Sequence, residues 1–188
     1  MASIITDAKA RQRFNAFLDA CGMDRAEAAR MLAHDRSLLD ARNGIDETVL
    51  YFFAVENVLP AVQWLLDQGA DVNTRDHADS TPLIDAAYLG HVEMCQLLLE
   101  HGADLSAQNQ MEQNALSAAT ELVGKSPRSQ ERTLALINLL LERLGKDEDI
   151  NHYFDRWAAE EALAREDVVA ALLLAHGLKR PEWSEYDV

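Results

Sequence analysis

His91 and Cys95 stand one helical turn apart, and His101 follows them in the same stretch, so the first chemistry to weigh is metal binding. A structural zinc site takes four such ligands, and no second pair of comparable spacing accompanies these three. Cys95 lies in the apolar run MCQLLL and reads as a core position, while His101 falls at the surface-facing end of the same run. His34, His77, His152 and His176 are scattered over the chain. No metal and no other cofactor is expected. Nucleophilic catalysis needs a Ser or Cys on a constrained turn with a base and an acid converging on it, and neither G-x-S-x-G nor a glycine-rich phosphate loop occurs. The acidic neighbours Glu160-Glu161 and Asp147-Glu148-Asp149 point apart on a helix and read as a solvated face. Lys125, Arg128 and Arg132 are too few for a nucleic-acid groove. No catalytic residue is assigned, and the chain reads as non-enzymatic.

The composition says what must hold these residues. Hydrophobic residues make up 48% of the 188, yet only 6% are aromatic; Leu and Ala dominate, which favours helices packed on helices in one domain. Against 17 Lys and Arg stand 32 Asp and Glu, a formal net charge of -15. Such a field repels phosphate backbones and anionic lipid, so nucleic acid and membranes are poor partners and a basic protein is a good one. The plainer reading is that the charge only keeps the protein soluble. No apolar run approaches the roughly 20 residues that cross a bilayer. With no signal-type start and two distant cysteines, Cys21 and Cys95, a soluble, reduced, cytoplasmic monomer is expected.

A fixed period organises the middle of the chain. Thr48, Leu50, Leu65, Leu66, Gly69, Ala70 and Asp71 recur 33 residues on as Thr81, Leu83, Leu98, Leu99, Gly102, Ala103 and Asp104. Thr81 is placed to cap a helix that Pro82 opens, where a missing N–H costs nothing. Leu83, Ala86 and Ala87 share one face, Gly90 and His91 mark a turn, and Met94, Leu97 and Leu98 line a second helix that Gly102 ends in a left-handed conformation. A helical spectrum with almost no sheet follows. Residues 79–109, DSTPLIDAAYLGHVEMCQLLLEHGADLSAQN, resemble an ankyrin repeat almost throughout. The resemblance implies an all-α solenoid of paired antiparallel helices joined by hairpin loops, in which His91 is a structural turn histidine.

On that pattern the chain divides into an N-terminal helical cap (1–42), repeats at 43–75 and 76–108, a third repeat with an insertion (109–151), a C-terminal cap (152–177) and a tail (178–188). The first repeat has Val49 for the proline, Asn57-Val58 for Gly-His, and Phe53 for an alanine, so irregular packing onto the N-terminal helices is expected. The third carries nine extra residues, and Gly124 to Ser129 reads as a long loop bordered by extended helices.

The family grips partners with its hairpin tips and the exposed side of its inner helices. Where its hairpins commonly carry Gly, this chain carries Asp46, Asp79 and Glu112, again 33 apart, which stacking should bring into a row. Asp tolerates the left-handed conformation better than Glu does. Glu47, Glu56, Asp85 and Glu121 fall near the same face, and Ile45, Tyr88, Leu89, Met111 and Leu122 occupy positions the family leaves variable and exposed. Two readings of Tyr88, Leu89 and Leu122 stand side by side: interface anchors inside an acidic rim, or packing against the next inner helix. The function that follows is binding, with or without inhibition, of a basic protein on an acidic concave face. Small acidic ankyrin proteins of this kind resemble immunity proteins that neutralise bacterial toxins. An adaptor bridging several proteins and a host-directed bacterial effector are the alternatives.

Overall fold

The computed structural model describes residues 8–121, 127–144, 149–154, 156–164 and 168–179. Ten helices form there: α1 (Ala8–Met23), α2 (Arg25–His34), α3 (Val49–Val55), α4 (Leu59–Asp67), α5 (Pro82–Tyr88), α6 (Val92–Glu100), α7 (Ala115–Glu121), α8 (Pro127–Leu144), α9 (Arg156–Ala164) and α10 (Val168–Ala175). Short 3-10 turns cover Arg36–Asp40 and Ile150–Tyr153. Among the described residues, the extended pairing is a single antiparallel bridge between Arg42 and Thr48.

Local chemistry sets where the helices start and stop. Asp24 accepts from the N–H groups of Ala26 and Glu27, Thr48 Oγ1 from Tyr51 at 3.2 Å, and Thr81 Oγ1 from Ile84 at 3.4 Å. Asn114 does the same for Leu116 and Ser117. Gly69, Gly102 and Gly177 follow α4, α6 and α10 at φ 86°, 85° and 92°. Ala70, Ala103 and Leu178 then each donate, at 3.0 Å, to a carbonyl five residues back, the closing bond of a Schellman motif.

The helices form two layers. In the inner layer α3 packs on α5, α5 on α7 and α7 on α9, with α1 against α3. In the outer layer α4 meets α6, α6 meets α8, and α8 meets α10. Ala54, Ala86, Ala87, Ala118 and Ala119 are fully or almost fully buried between inner helices, and Leu65, Met94, Leu98, Leu136 and Leu140 line the seam with the outer layer. This is the helical solenoid that the period implied.

Phe53, which stands where the next repeats have Ala86 and Ala119, is buried. Gly22 of α1 lies over its ring, where a Cβ would meet Phe53 Cζ at 3.5 Å, an ordinary contact distance. A large residue on α3 is matched by the smallest one on α1.

The insertion differs from the expected loop. Pro127, Arg128 and Ser129 lie in α8, which runs 18 residues against nine for α4 and α6. Proline suits a first helical turn because its lack of an N–H costs nothing there, so here it opens a helix. Gly124, Lys125 and Ser126 lie outside the described residues. At the other end Leu178 is buried and Lys179 donates to Asn151 Oδ1, so the first residues read as tail belong to the last helix pair. Residues 180–188 lie outside the described residues.

Candidate partner-binding surface

The hairpins between helix pairs are three copies of one hydrogen-bonded loop. Asn43 Oδ1 accepts from the N–H groups of Ile45 and Glu47, Asp76 Oδ1 from Ala78 and Ser80, and Asn109 Oδ1 from Met111 and Gln113, all within 3.0 Å. The backbone closes each loop alike, with Asn43 donating to Glu47, Asp76 to Ser80 and Asn109 to Gln113. This chain path puts Asp46, Asp79 and Glu112 at φ 63°, 58° and 60°. The three acids therefore hold left-handed backbone positions in successive hairpins.

Arginines underpin the loops. Arg42 Nη1 donates to the Asp46 carbonyl at 2.5 Å and to the Arg75 carbonyl, while Arg75 Nη1 donates to the Asp79 and Gln108 carbonyls at 2.6 and 2.8 Å. Gln108 repeats the motif onto the Glu112 carbonyl. Each arginine thus ties its own hairpin to the next. Their charge is turned to backbone carbonyls, and among the described residues no basic side chain pairs with the Asp46, Asp79 or Glu112 carboxylate.

Beside each acid sits an apolar residue: Ile45, Ala78 and Met111. Ile45 is 51% exposed and Met111 69%. At the end of α5, Tyr88 and Leu89 are 53% and 42% exposed. Glu56, at the end of α3, and Glu121, at the end of α7, are exposed as well. Glu121 accepts from the Gln113 amide. Leu122 lies outside the described residues.

Two of the acids read from the sequence are engaged internally. Asp85 is half-buried and accepts from the Tyr51 hydroxyl at 2.6 Å and the Ser80 hydroxyl at 2.7 Å. Burial, together with its donation to Asp85, holds the Tyr51 phenol well above its ordinary pKa. Glu47 is also half-buried and accepts from Asn43 Nδ2 at 2.7 Å. Burial above all, with Asp76 and Asp85 nearby, raises its pKa. The Asp85 carboxylate joins two repeats through Tyr51, while that of Glu47 braces its own hairpin.

The residues that first suggested metal chemistry have structural roles. His91 Nε2 lies 3.1 Å from the Val55 carbonyl of the preceding repeat, and His101 Nδ1 lies 2.9 Å from Leu97 O. Cys21 and Cys95 are buried, and burial pushes both thiols up to about 12, far from the thiolate that binds metal or attacks carbon. Among the described residues, no group of three or more His, Cys, Asp and Glu is arranged to hold an ion. Nor is any described helix long and apolar enough to cross a membrane.

Residues 17–109 match the family model described as ankyrin repeats, in three copies. The match begins inside α1, so it takes in part of the N-terminal helix pair, and it ends in the hairpin before α7. A search of curated proteins finds no match.

Proposed function

Since this is an ankyrin-repeat protein, and ankyrin repeats serve as protein–protein interaction modules, we propose that its hairpin tips and the exposed ends of its inner helices bind a basic protein. One observation carries this reading. Three successive hairpins hold an acid at a left-handed position where glycine would be less strained, and among the described residues none of those carboxylates meets a cation, Asp79 Oδ2 accepting only from the Gln110 amide at 3.4 Å. Ile45, Met111, Tyr88 and Leu89 supply apolar surface beside them. Rim charge speeds encounter, and buried apolar anchors slow release.

A sharper form follows from the net charge of -15 and from the resemblance to toxin immunity proteins: the acidic face occludes a basic toxin. That form requires a one-to-one complex that abolishes the toxin's activity. Several partners held at once would instead assign the chain as an adaptor.

The test is capture from a lysate of the source cell on immobilised wild-type protein and on the charge-reversed variant Asp46→Lys, Asp79→Lys, Glu112→Lys. A basic protein held by the wild type should associate with the variant about tenfold or more slowly at low salt, the difference shrinking as salt rises. Equal association rates at every salt concentration, with both proteins folded, would reduce the row to solubilising charge.

A further inference from the structure

We infer that the last outer helix, α10, carries an apolar docking surface whose occupant is residues 180–188 of the same chain, so that this segment caps the C-terminal end of the solenoid in place of a further helix pair.

The sequence of α10 is VVAALLLA, with no polar position. One side packs on α8 and α9 and buries Val169, Ala170 and Leu173. The other side is open: Val168 is 57% and Leu174 43% exposed, and Ala171 and Ala175 are exposed as well. Aligned on Gly102 and Gly177, α6 and α10 differ on this side. Val168, Ala171 and Ala175 stand where α6 turns Glu93, Gln96 and Glu100 to water, and α8 has Asn138 and Glu142 at the last two of these places. Leu174 corresponds to Leu66 and Leu141, which are buried. The end unit of a solenoid needs a polar outer face, and α1 has one, its exposed positions including Arg11, Arg13, Asn15 and Asp19. A helix that is apolar all round belongs under a cover.

The chain leaves α10 as it leaves α6. Ala103 and Leu178 donate to the carbonyls of Leu98 and Leu173, both at 3.0 Å, and the next N–H groups, of Asp104 and Lys179, reach Asn73 Oδ1 at 2.8 Å and Asn151 Oδ1 at 2.9 Å. From Asp104 the chain passes through a hairpin to α7, which stacks on α5 as the next inner helix. The same heading from Lys179 carries residues 180–188 across the end of the last helix pair. Their sequence, RPEWSEYDV, sets Trp183, Tyr186 and Val188 among polar residues, and one buried aromatic side chain covers roughly 150–250 Å². Nine extended residues reach roughly 30 Å, against roughly 12 Å for the length of α10, so the segment spans the whole face. A second copy is a poorer occupant. The formal net charge of -15 on each chain opposes association, whereas a segment joined at Lys179 meets the face at an effective concentration on the order of millimolar.

The experiment uses the full chain, as wild type and as Trp183→Ala, Tyr186→Ala. In the wild type, NMR should give Overhauser contacts from the Trp183 or Tyr186 ring to the methyl groups of Val168 and Leu174, and these should persist unchanged on dilution. In the double variant, amide exchange across residues 168–175 should rise about fivefold or more while α3 to α6 keep wild-type protection. The wild-type contacts decide the matter even if the variant aggregates. Contacts that vanish on dilution, together with a dimer in sedimentation, would give the face to a second copy and overturn the assignment. A monomer with no contact from either ring to α10, and with exchange unchanged in the variant, would leave the face to another protein and overturn it equally.

Discussion

A non-glycine residue held at φ near 60° costs about 1–2 kcal/mol, and the solenoid bears that strain at Asp46, Asp79 and Glu112. Aspartate offsets part of it through its short polar side chain; glutamate does not. Glu112→Gly should therefore stabilise the protein by about 0.5–1 kcal/mol in urea unfolding, and Asp79→Gly by less, while both slow association with a basic partner. Loss of stability on Glu112→Gly would show that the carboxylate holds its hairpin and is not there for a partner. Glu47 makes a prediction of the same grain. Burial foremost, and then Asp76 and Asp85, hold its carboxyl above the usual 4.5 against the opposing Asn43 amide. The folded chain thus keeps this proton more tightly than the unfolded one, so the site favours folding at low pH and loses that support as pH rises through the window above 4.5. Glu47→Gln should raise the melting temperature at pH 7, with the gain fading below pH 4.5; a gain independent of pH would exclude this cause. The tip acids were legible because an absent glycine shows at a fixed period. The Tyr51–Asp85 bond was not, since its members lie 34 residues apart and the positions equivalent to Tyr51 are Ile84 and Ser117.

Between elements, the seam from α1 to α3 shows how a departure from the repeat is absorbed. Phe53 fills the space that Gly22 leaves open, and the ring of Phe52 meets it edge-on at 5.7 Å. Phe53→Ala would restore the residue found at Ala86 and Ala119, yet it should cost about 3–5 kcal/mol, because Gly22 offers nothing to fill the cavity. A neutral result would mean that α1 collapses onto α3. The sequence showed the oversized residue but not its complement, since Gly22 belongs to a helix outside the recurring pattern. The bordering extended helix was read correctly, but its start was placed too late for a local reason. Gly124 and Pro127 suggested a loop, whereas proline in a first turn begins a helix, and the buried face of α8 continues back from Leu140 and Leu136 to Thr133. The added turns place Glu131, Arg132 and Ala135 beside Val92 and Glu93 of α6, where they line an open cleft on the outer layer.

At the scale of the whole molecule, each helix pair touches only its neighbours, so one kind of contact should have different consequences at different places. The chain supplies a matched pair. Asn73 donates to Gly102 O at 3.3 Å and accepts from Asp104 N at 2.8 Å; Asn151 donates to Gly177 O at 3.1 Å and accepts from Lys179 N at 2.9 Å. In both, an aspartate two residues earlier, Asp71 or Asp149, accepts from the asparagine's N–H. The sequence carries this signal as Asp-Val-Asn and Asp-Ile-Asn, a correspondence hidden because the two lie 12 residues out of register with the 33-residue period. Replacing either asparagine by alanine removes two bonds, at about 1–2 kcal/mol. Asn73 sits mid-solenoid with helix pairs on both sides, so Asn73→Ala should lower the midpoint of the main cooperative transition. Asn151 fastens the terminal pair α9 and α10, where a neighbour lies on one side only among the described residues. Asn151→Ala should therefore raise amide exchange across residues 156–175 about tenfold while α3 to α6 keep wild-type protection. Hydrogen exchange followed by peptide mass analysis reads both variants. If Asn151→Ala instead lowers protection uniformly from α3 to α10, the solenoid unfolds as one unit and its terminal pair is no weaker than its middle.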